Sequence, residues 1–120
     1  ELKFPAMALT DHGVLYGAIE FYQSAMKAGI KPIIGCEVYV TPGSHKDRKE
    51  GQGYNHLLLL AETQEGYRNL VKLTTRAHLD GFYYKPRIDH ALLEQHKEGL
   101  IVTSACIAGE MCFGSLQLLG

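Results

Sequence analysis

The sequence predicts an α/β fold built on a parallel sheet. Four short apolar runs have strand length, and three further segments repeat apolar residues every three or four positions. Strands that alternate with helices normally join through right-handed parallel crossovers. The junction at Asp11-His12-Gly13 supports the same reading. There an apolar run stops and a helical pattern starts at once, as a strand hands over to a helix in a βα unit. Four strands are too few to close a barrel, so the chain is expected to be an internal piece of one α/β domain, truncated at both ends.

The first run, Ala6 to Thr10, ends at Asp11, which can cap the helix that follows. Gly13 allows the tight turn, and His12 is left at the C-terminal end of the strand. Leu15, Ala18, Ile19, Tyr22, Ala25 and Met26 make one stripe of a helix over Val14 to Ala28, closed by Gly29. Ile33 to Val40 is rich in β-branched residues and reads as the second strand. Thr41 to Gly53 is polar, with Lys46, Arg48 and Lys49 on what reads as a long solvated loop. His56 to Ala61 is a continuous apolar run suited to a strand buried on both faces. Glu62 to Glu65 supplies helix-start chemistry, and Tyr67, Leu70, Val71, Thr74 and Ala77 carry a stripe to Leu79. Asp80 to Arg87 breaks that pattern. Asp89 opens a short helix over roughly His90 to His96, ended by Gly99. Leu100 to Ser104 is the fourth strand and runs into Ala105 to Gly109, after which a new helical segment starts.

Composition narrows the function. The 120 residues are 46% apolar, enough for one small core. Twelve basic and 13 acidic residues nearly cancel, so no global field advertises a polyanionic partner. Three cysteines without C-x-x-C spacing argue against a disulfide scaffold and for a reducing compartment. No apolar run reaches the ~18 residues of a membrane span, and no charged n-region precedes a hydrophobic segment in this sequence. A soluble, cytoplasmic protein without a membrane partner is expected.

Four residues carry candidate chemistry. Glu37 is a carboxylate within an apolar strand, so it is paired, ligated or on a solvated face. Cys36 and Val38 face the other way, while Gly35 and Tyr39 share its side. His56 precedes four leucines and lies at the rim or interior of the sheet, either satisfied by backbone or ligating. It stands on the N-terminal side of its run, where the rule that sites occupy C-terminal strand ends does not place it. Cys106 follows a strand end among small residues, a position that suits a thiolate ligand or an inert buried thiol. Together His12, Glu37, His56 and Cys106 offer N, O and S donors from four successive strands. Zinc accepts all three donor types, and manganese accepts imidazole with carboxylate. Cys36 and Cys112 read as structural.

Several blocks resemble a known family. Ala8-Leu9-Thr10-Asp11-His12-Gly13, Gly29 to Glu37, Glu65-Gly66-Tyr67-Arg68-Asn69-Leu70 and Gly81 to Asp89 are similar to the PHP (polymerase and histidinol phosphatase) domain of bacterial replicative DNA polymerase III alpha subunits. The resemblance covers essentially the whole chain, and its last two blocks are specific to the polymerase branch. It implies a distorted (β/α)7 barrel with up to three divalent ions, zinc or manganese with magnesium as a further candidate, at one mouth. His12, Glu37, His56 and Cys106 fall on ligand positions of the family pattern, and Asp11 on the acid that supports or caps. The family's opening His-x-His pair would precede Glu1 and its closing Asp-x-His pair would follow Gly120, so an isolated piece is expected to be inactive.

The implied activity is a metal-dependent 3′–5′ exonuclease for proofreading, inside a DNA-directed DNA polymerase. Its partners would be DNA and other subunits of the replicative holoenzyme. Water is the nucleophile in such chemistry, which leaves Cys106 as ligand rather than attacker. Two rival readings exist. One is a metal-free scaffold that stabilises the polymerase or docks a separate exonuclease. The other is a phosphatase for small phosphomonoesters, against which the polymerase-specific blocks argue. Lys85 and Arg87, beside Tyr83 and Tyr84, are candidates for DNA backbone contact; the alternative is a loop whose tyrosines pack on the barrel.

Overall fold

The computed structural model describes residues 3–109. In order, the elements are β1 (Ala6–His12), α1 (Ala18–Lys27), β2 (Lys31–Val40), β3 (Asn55–Ala61), α2 (Gln64–Leu79), β4 (Phe82–Tyr83), β5 (Lys85–Ile88), α3 (His90–Gln95) and β6 (Leu100–Ser104). The expected helical segment after Gly109 lies outside the described residues.

The sheet is mixed, which corrects the expectation of a parallel one. β2 pairs in parallel with β1 and, further along the same edge, with β5. Its other neighbour, β3, is antiparallel, and β6 is antiparallel to β3. The cause lies in the connection between β2 and β3, which contains no helix. A parallel return needs a crossover element, whereas a strand that returns through a loop lies antiparallel to the one it left. The stretch read as a simple break, Asp80 to Arg87, contains the hairpin of β4 and β5, whose second strand extends the sheet beyond β1.

Side-chain alternation divides the sheet into two functional faces. Cys36, Val38, Val40, Leu57 and Leu59 are buried together with Leu70, Leu73 and Ala77 of α2 and with Ile88 and Leu92. α2 is capped as its sequence suggests, with the Thr63 hydroxyl accepting from the Gly66 N–H at 3.0 Å. The opposite face carries Gly35, Glu37, Tyr39 and His56. Gly35 has no room for a side chain, because a Cβ there would lie 2.5 Å from the Leu59 carbonyl and 2.7 Å from Leu60.

α1 starts four residues later than its periodicity suggests. Asp11 accepts the Gly17 N–H at 3.1 Å, and Gly13 turns through φ +69°, so residues 13–17 form a turn before the helix. Only Ala18 and Ala25 of α1 are buried. Ile19, Tyr22 and Met26, expected in the core, are more than half exposed or close to it among the described residues. Part of this stripe lines an open groove of about 310 Å³ with Pro32, Ile34 and Tyr67.

The long loop after β2 is fastened at its centre. Asp89, the N-cap of α3, accepts from the Leu92 N–H at 2.8 Å, and its other oxygen accepts from the His45 N–H at 2.8 Å and meets the His45 ring at 2.5 Å. Burial pushes the Asp89 carboxyl up, but the hydrogen bonds from His45 and Leu92 outweigh it and hold the group below its ordinary value. A carboxyl lowered in the folded state stabilises the fold above its unfolded pKa of ~4, and that contribution is lost as pH falls through the folded value. Asp89→Asn is therefore expected to cost about 1.5–3 kcal/mol at pH 7, with a gap to wild type that closes in acid. Urea unfolding at pH 7 and below pH 4 checks this, and a gap independent of pH would refute it.

Candidate metal centre

Strand direction assembles the site. In the parallel β1–β2 pair, His12 lies opposite Glu37 at the C-terminal ends of both strands. Because β3 runs the other way, its N-terminal end sits beside the C-terminal end of β2, with His56 opposite Tyr39. β6 reverses again, and its last residue, Ser104, lies opposite Leu57. Cys106 follows two residues later. The chain then turns back onto β3, with the His56 N–H donating to the Ala108 carbonyl at 3.2 Å and the Gly109 N–H to the Cys106 carbonyl at 2.7 Å. The awkward position of His56 in the sequence is thus resolved: the N-terminus of an antiparallel strand shares an edge with the C-termini of its neighbours.

Glu37 is the centre of the cluster. Its side chain is 16% exposed and lies between two imidazoles, with Oε1 2.6 Å from His56 Nδ1 and Oε2 3.3 Å from His12 Nε2. Glu37, His56 and Cys106 each offer a ligand atom, and these atoms all lie within 4.8 Å of one another. His12 stands at the margin, mostly exposed, and reaches the group through Glu37. Two atoms bound at ~2.1 Å to one tetrahedral ion are ~3.4 Å apart, close to the His12–Glu37 separation. The shorter His56–Glu37 contact is a hydrogen bond. The donor set of imidazole, carboxylate and thiol fits a zinc-type site, and imidazole with carboxylate also suits manganese.

Aromatic rings hold His56 in place. The Tyr39 ring meets it edge-on at 5.2 Å, and Tyr54 lies nearly parallel to it at 6.0 Å. Tyr39 and Tyr54 also meet edge-on at 5.1 Å. Burial, with Tyr54 and Glu37 nearby, raises the Tyr39 hydroxyl above its ordinary pKa. Sequence reading left both tyrosines out of the site. The signal was present, since Tyr39 shares the Glu37 face and Tyr54 stands two residues before His56.

Other candidates separate cleanly. The Cys36 thiol lies on the helix-covered face, where burial pushes its pKa up to about 12, in keeping with a structural role. Asp11 supports the turn before α1 through its bond to Gly17. Cys112 lies outside the described residues. Lys85 is exposed, with Nζ 5.7 Å from the centre of the Tyr39 ring, and so stands at the rim of the site.

Arg87, one of two candidates for DNA backbone contact, is 1% exposed, which corrects that candidacy. Its Nε donates to the Gly81 carbonyl at 3.1 Å and its Nη2 to the carbonyls of His45 and Asp47 at 3.1 and 2.6 Å. An arginine enclosed by carbonyls fastens the loop and is not presented to a phosphate.

Three proteins of known name are similar to this chain along most of its length. DNA polymerase III subunit alpha of Chlamydia trachomatis serovar D is 52% identical over 120 residues, which cover 98% of this chain and 10% of that protein. The Thermus aquaticus subunit is 54% identical over 111 residues, covering 89% of this chain and 9% of its own length. That of Borreliella burgdorferi is 57% identical over 106 residues, with 86% and 9% covered. The chain thus spans about a tenth of these relatives. The family model described as the PHP domain matches residues 1–114, which include every residue of the cluster around Glu37, and the chain belongs to the PHP-domain family.

Proposed function

We propose that this chain is part of the PHP domain of a DNA-directed DNA polymerase and carries one wall of a divalent metal centre that hydrolyses phosphodiester bonds from a DNA 3′ end. The observation that supports this most directly is the convergence of Glu37, His56 and Cys106 within 4.8 Å, with His12 joined through Glu37. Convergence of N, O and S donors from separate strands favours a site that holds ions over a scaffold without them. Zinc or manganese fits the donors, with magnesium a weaker match because a thiolate prefers softer ions. Bound divalent ions supply an activated water and neutralise charge on the scissile phosphate.

The chain's own residues set the geometry. Glu37 fixes the two imidazoles relative to each other. Tyr39 and Tyr54 hold the His56 ring at its angle, and Cys106 approaches from the turn after β6. Lys85, at the rim, offers a positive charge to a phosphate of the strand that enters. The domain as a whole would be the family's barrel, of which the six-stranded sheet is one side. The relatives are about ten times longer than this chain, so the full-length protein is the form in which the centre is to be tested. DNA and the other subunits of a replicative polymerase are the partners, and the cytoplasm is the setting. Among the described residues no helix is long and apolar enough to cross a membrane.

The test is metal content in the full-length protein. Cys106→Ser and His56→Asn are each expected to lower zinc affinity at least 100-fold, beyond the 10–100-fold typical of groups that only support a ligand. Equilibrium dialysis with elemental mass spectrometry reads this, and circular dichroism verifies the fold. Wild-type metal stoichiometry in both folded variants would sink the assignment.

A further inference from the structure

The hairpin of β4 and β5 is closed by a single residue. Phe82 pairs with Pro86 and Tyr83 with Lys85, which leaves Tyr84 alone at the tip. Tyr84 has φ +60°, the left-handed region that glycine adopts freely and a bulky side chain adopts at a cost. The residue is 80% exposed among the described residues, so burial does not repay that strain. Glycine would suit the turn better. Strained residues of this kind concentrate where function requires them.

The surroundings point to a ligand. Tyr83 is anchored against the Arg87 guanidinium at 5.2 Å and meets Tyr84 edge-on at 4.6 Å, so the outer ring is braced from beneath. Lys85, the next residue, leans over Tyr39, which itself touches His56. Pro86 packs against the Asp-His-Gly turn, where a Cβ on Gly13 would lie 2.8 Å from its ring. The tip therefore projects beside the metal ligands, with an exposed aromatic ring and a cation on adjacent residues. That pairing suits unpaired bases and their phosphates, because every base has a stacking face and every linkage a negative charge. Paired bases in a duplex present no free face to a ring.

We propose that Tyr84 and Lys85 form a platform for a single-stranded DNA end, the base stacked on Tyr84 and a phosphate held by Lys85, which delivers the terminal linkage to the metal centre. The proposal rests on the reading of that centre as a DNA phosphodiesterase. It makes Tyr84 a substrate-touching residue tolerated by the fold at a cost in stability.

The experiment uses the full-length protein with an oligothymidylate that carries 5-iododeoxyuridine at its 3′ end. After irradiation, cross-linked peptides are mapped by mass spectrometry, with and without a chelator. The expected result is a label on Tyr84 in both conditions. Tyr84→Gly should weaken retention of the single-stranded end at this site about tenfold, the scale of one lost stacking contact. The same variant should unfold at an equal or higher temperature, because the strain is relieved. A lower melting temperature with unchanged end retention would make Tyr84 structural and overturn the proposal. A label that misses residues 81–88 while metals are bound would overturn the platform and leave the metal centre standing. A label on Tyr84 in a protein that takes up no zinc or manganese even when these are added in excess would overturn the metal centre and leave the platform standing.

Discussion

For the proposed metal centre, Glu37→Gln in the full-length protein is expected to abolish stabilisation by added zinc or manganese and to lower the proposed exonuclease rate by roughly 100-fold or more. The substitution keeps the shape of the side chain and removes its charge. Glu37 bonds to both imidazoles, at 2.6 Å from His56 and 3.3 Å from His12. A neutral amide is a poor ligand for a divalent ion, and it cannot accept from two imidazoles with both of its terminal atoms. The clearest readout is thermal. A ligand at one hundred times its Kd stabilises the fold by about 2.7 kcal/mol, so wild type should melt higher as zinc or manganese is added. The variant should melt at one temperature with or without added metal. An equal rise in both proteins would show that the ions bind elsewhere.

The position of Glu37 was readable because a charge in an apolar strand has few explanations. Its face was readable from alternation, since Cys36 and Val38 are buried among helices while Glu37 and Tyr39 are not. Strand direction was not readable. Leu57 to Leu60 is apolar whichever way the strand runs, and periodicity does not depend on direction. The missing helix between β2 and β3 was the only cue, and it is a cue about the connection, not the strand. That single reversal moves His56 from an unexplained position to a place beside Glu37. The resemblance to a known family also pointed to His56, and the antiparallel pairing gives the physical reason for its place beside Glu37.

Arg87 shows a different limit. Arginine is mostly a surface residue, and Lys85-Pro86-Arg87 between aromatics resembles a nucleic-acid contact by composition. In a strand, neighbouring residues face opposite sides, so Lys85 and Arg87 share a face and only their surroundings separate them. Lys85 falls at the open end, whereas Arg87 falls under the returning loop, whose carbonyls converge from positions 42 and 40 residues away. No local pattern encodes that convergence. The α1 stripe fails for a related reason: amphipathicity shows which side of a helix is apolar, and Ile19, Tyr22 and Met26 remain open among the described residues because nothing described covers that side.

Arg87→Met should give the larger loss of stability, about 3–5 kcal/mol, because three largely buried carbonyls lose a charged donor at once. Methionine fills similar space but donates nothing, so the carbonyls of Gly81, His45 and Asp47 lose their donor together. Each buried acceptor left bare costs about 1–3 kcal/mol. The damage should be local first. Lys46, Arg48 and Lys49 are exposed on the loop that Arg87 fastens, and they are sites for trypsin. Cleavage there should accelerate in Arg87→Met under native conditions, before any global transition in urea. Arg87→Lys should recover little, because one ammonium cannot span three carbonyls that a planar fork reaches. The loop ends at Tyr54, which lies against His56, so a loosened loop should also weaken metal binding through the ring contacts rather than through any ligand. Resistance to trypsin equal to wild type in both variants would mean that the loop is held by Asp89 and His45 alone.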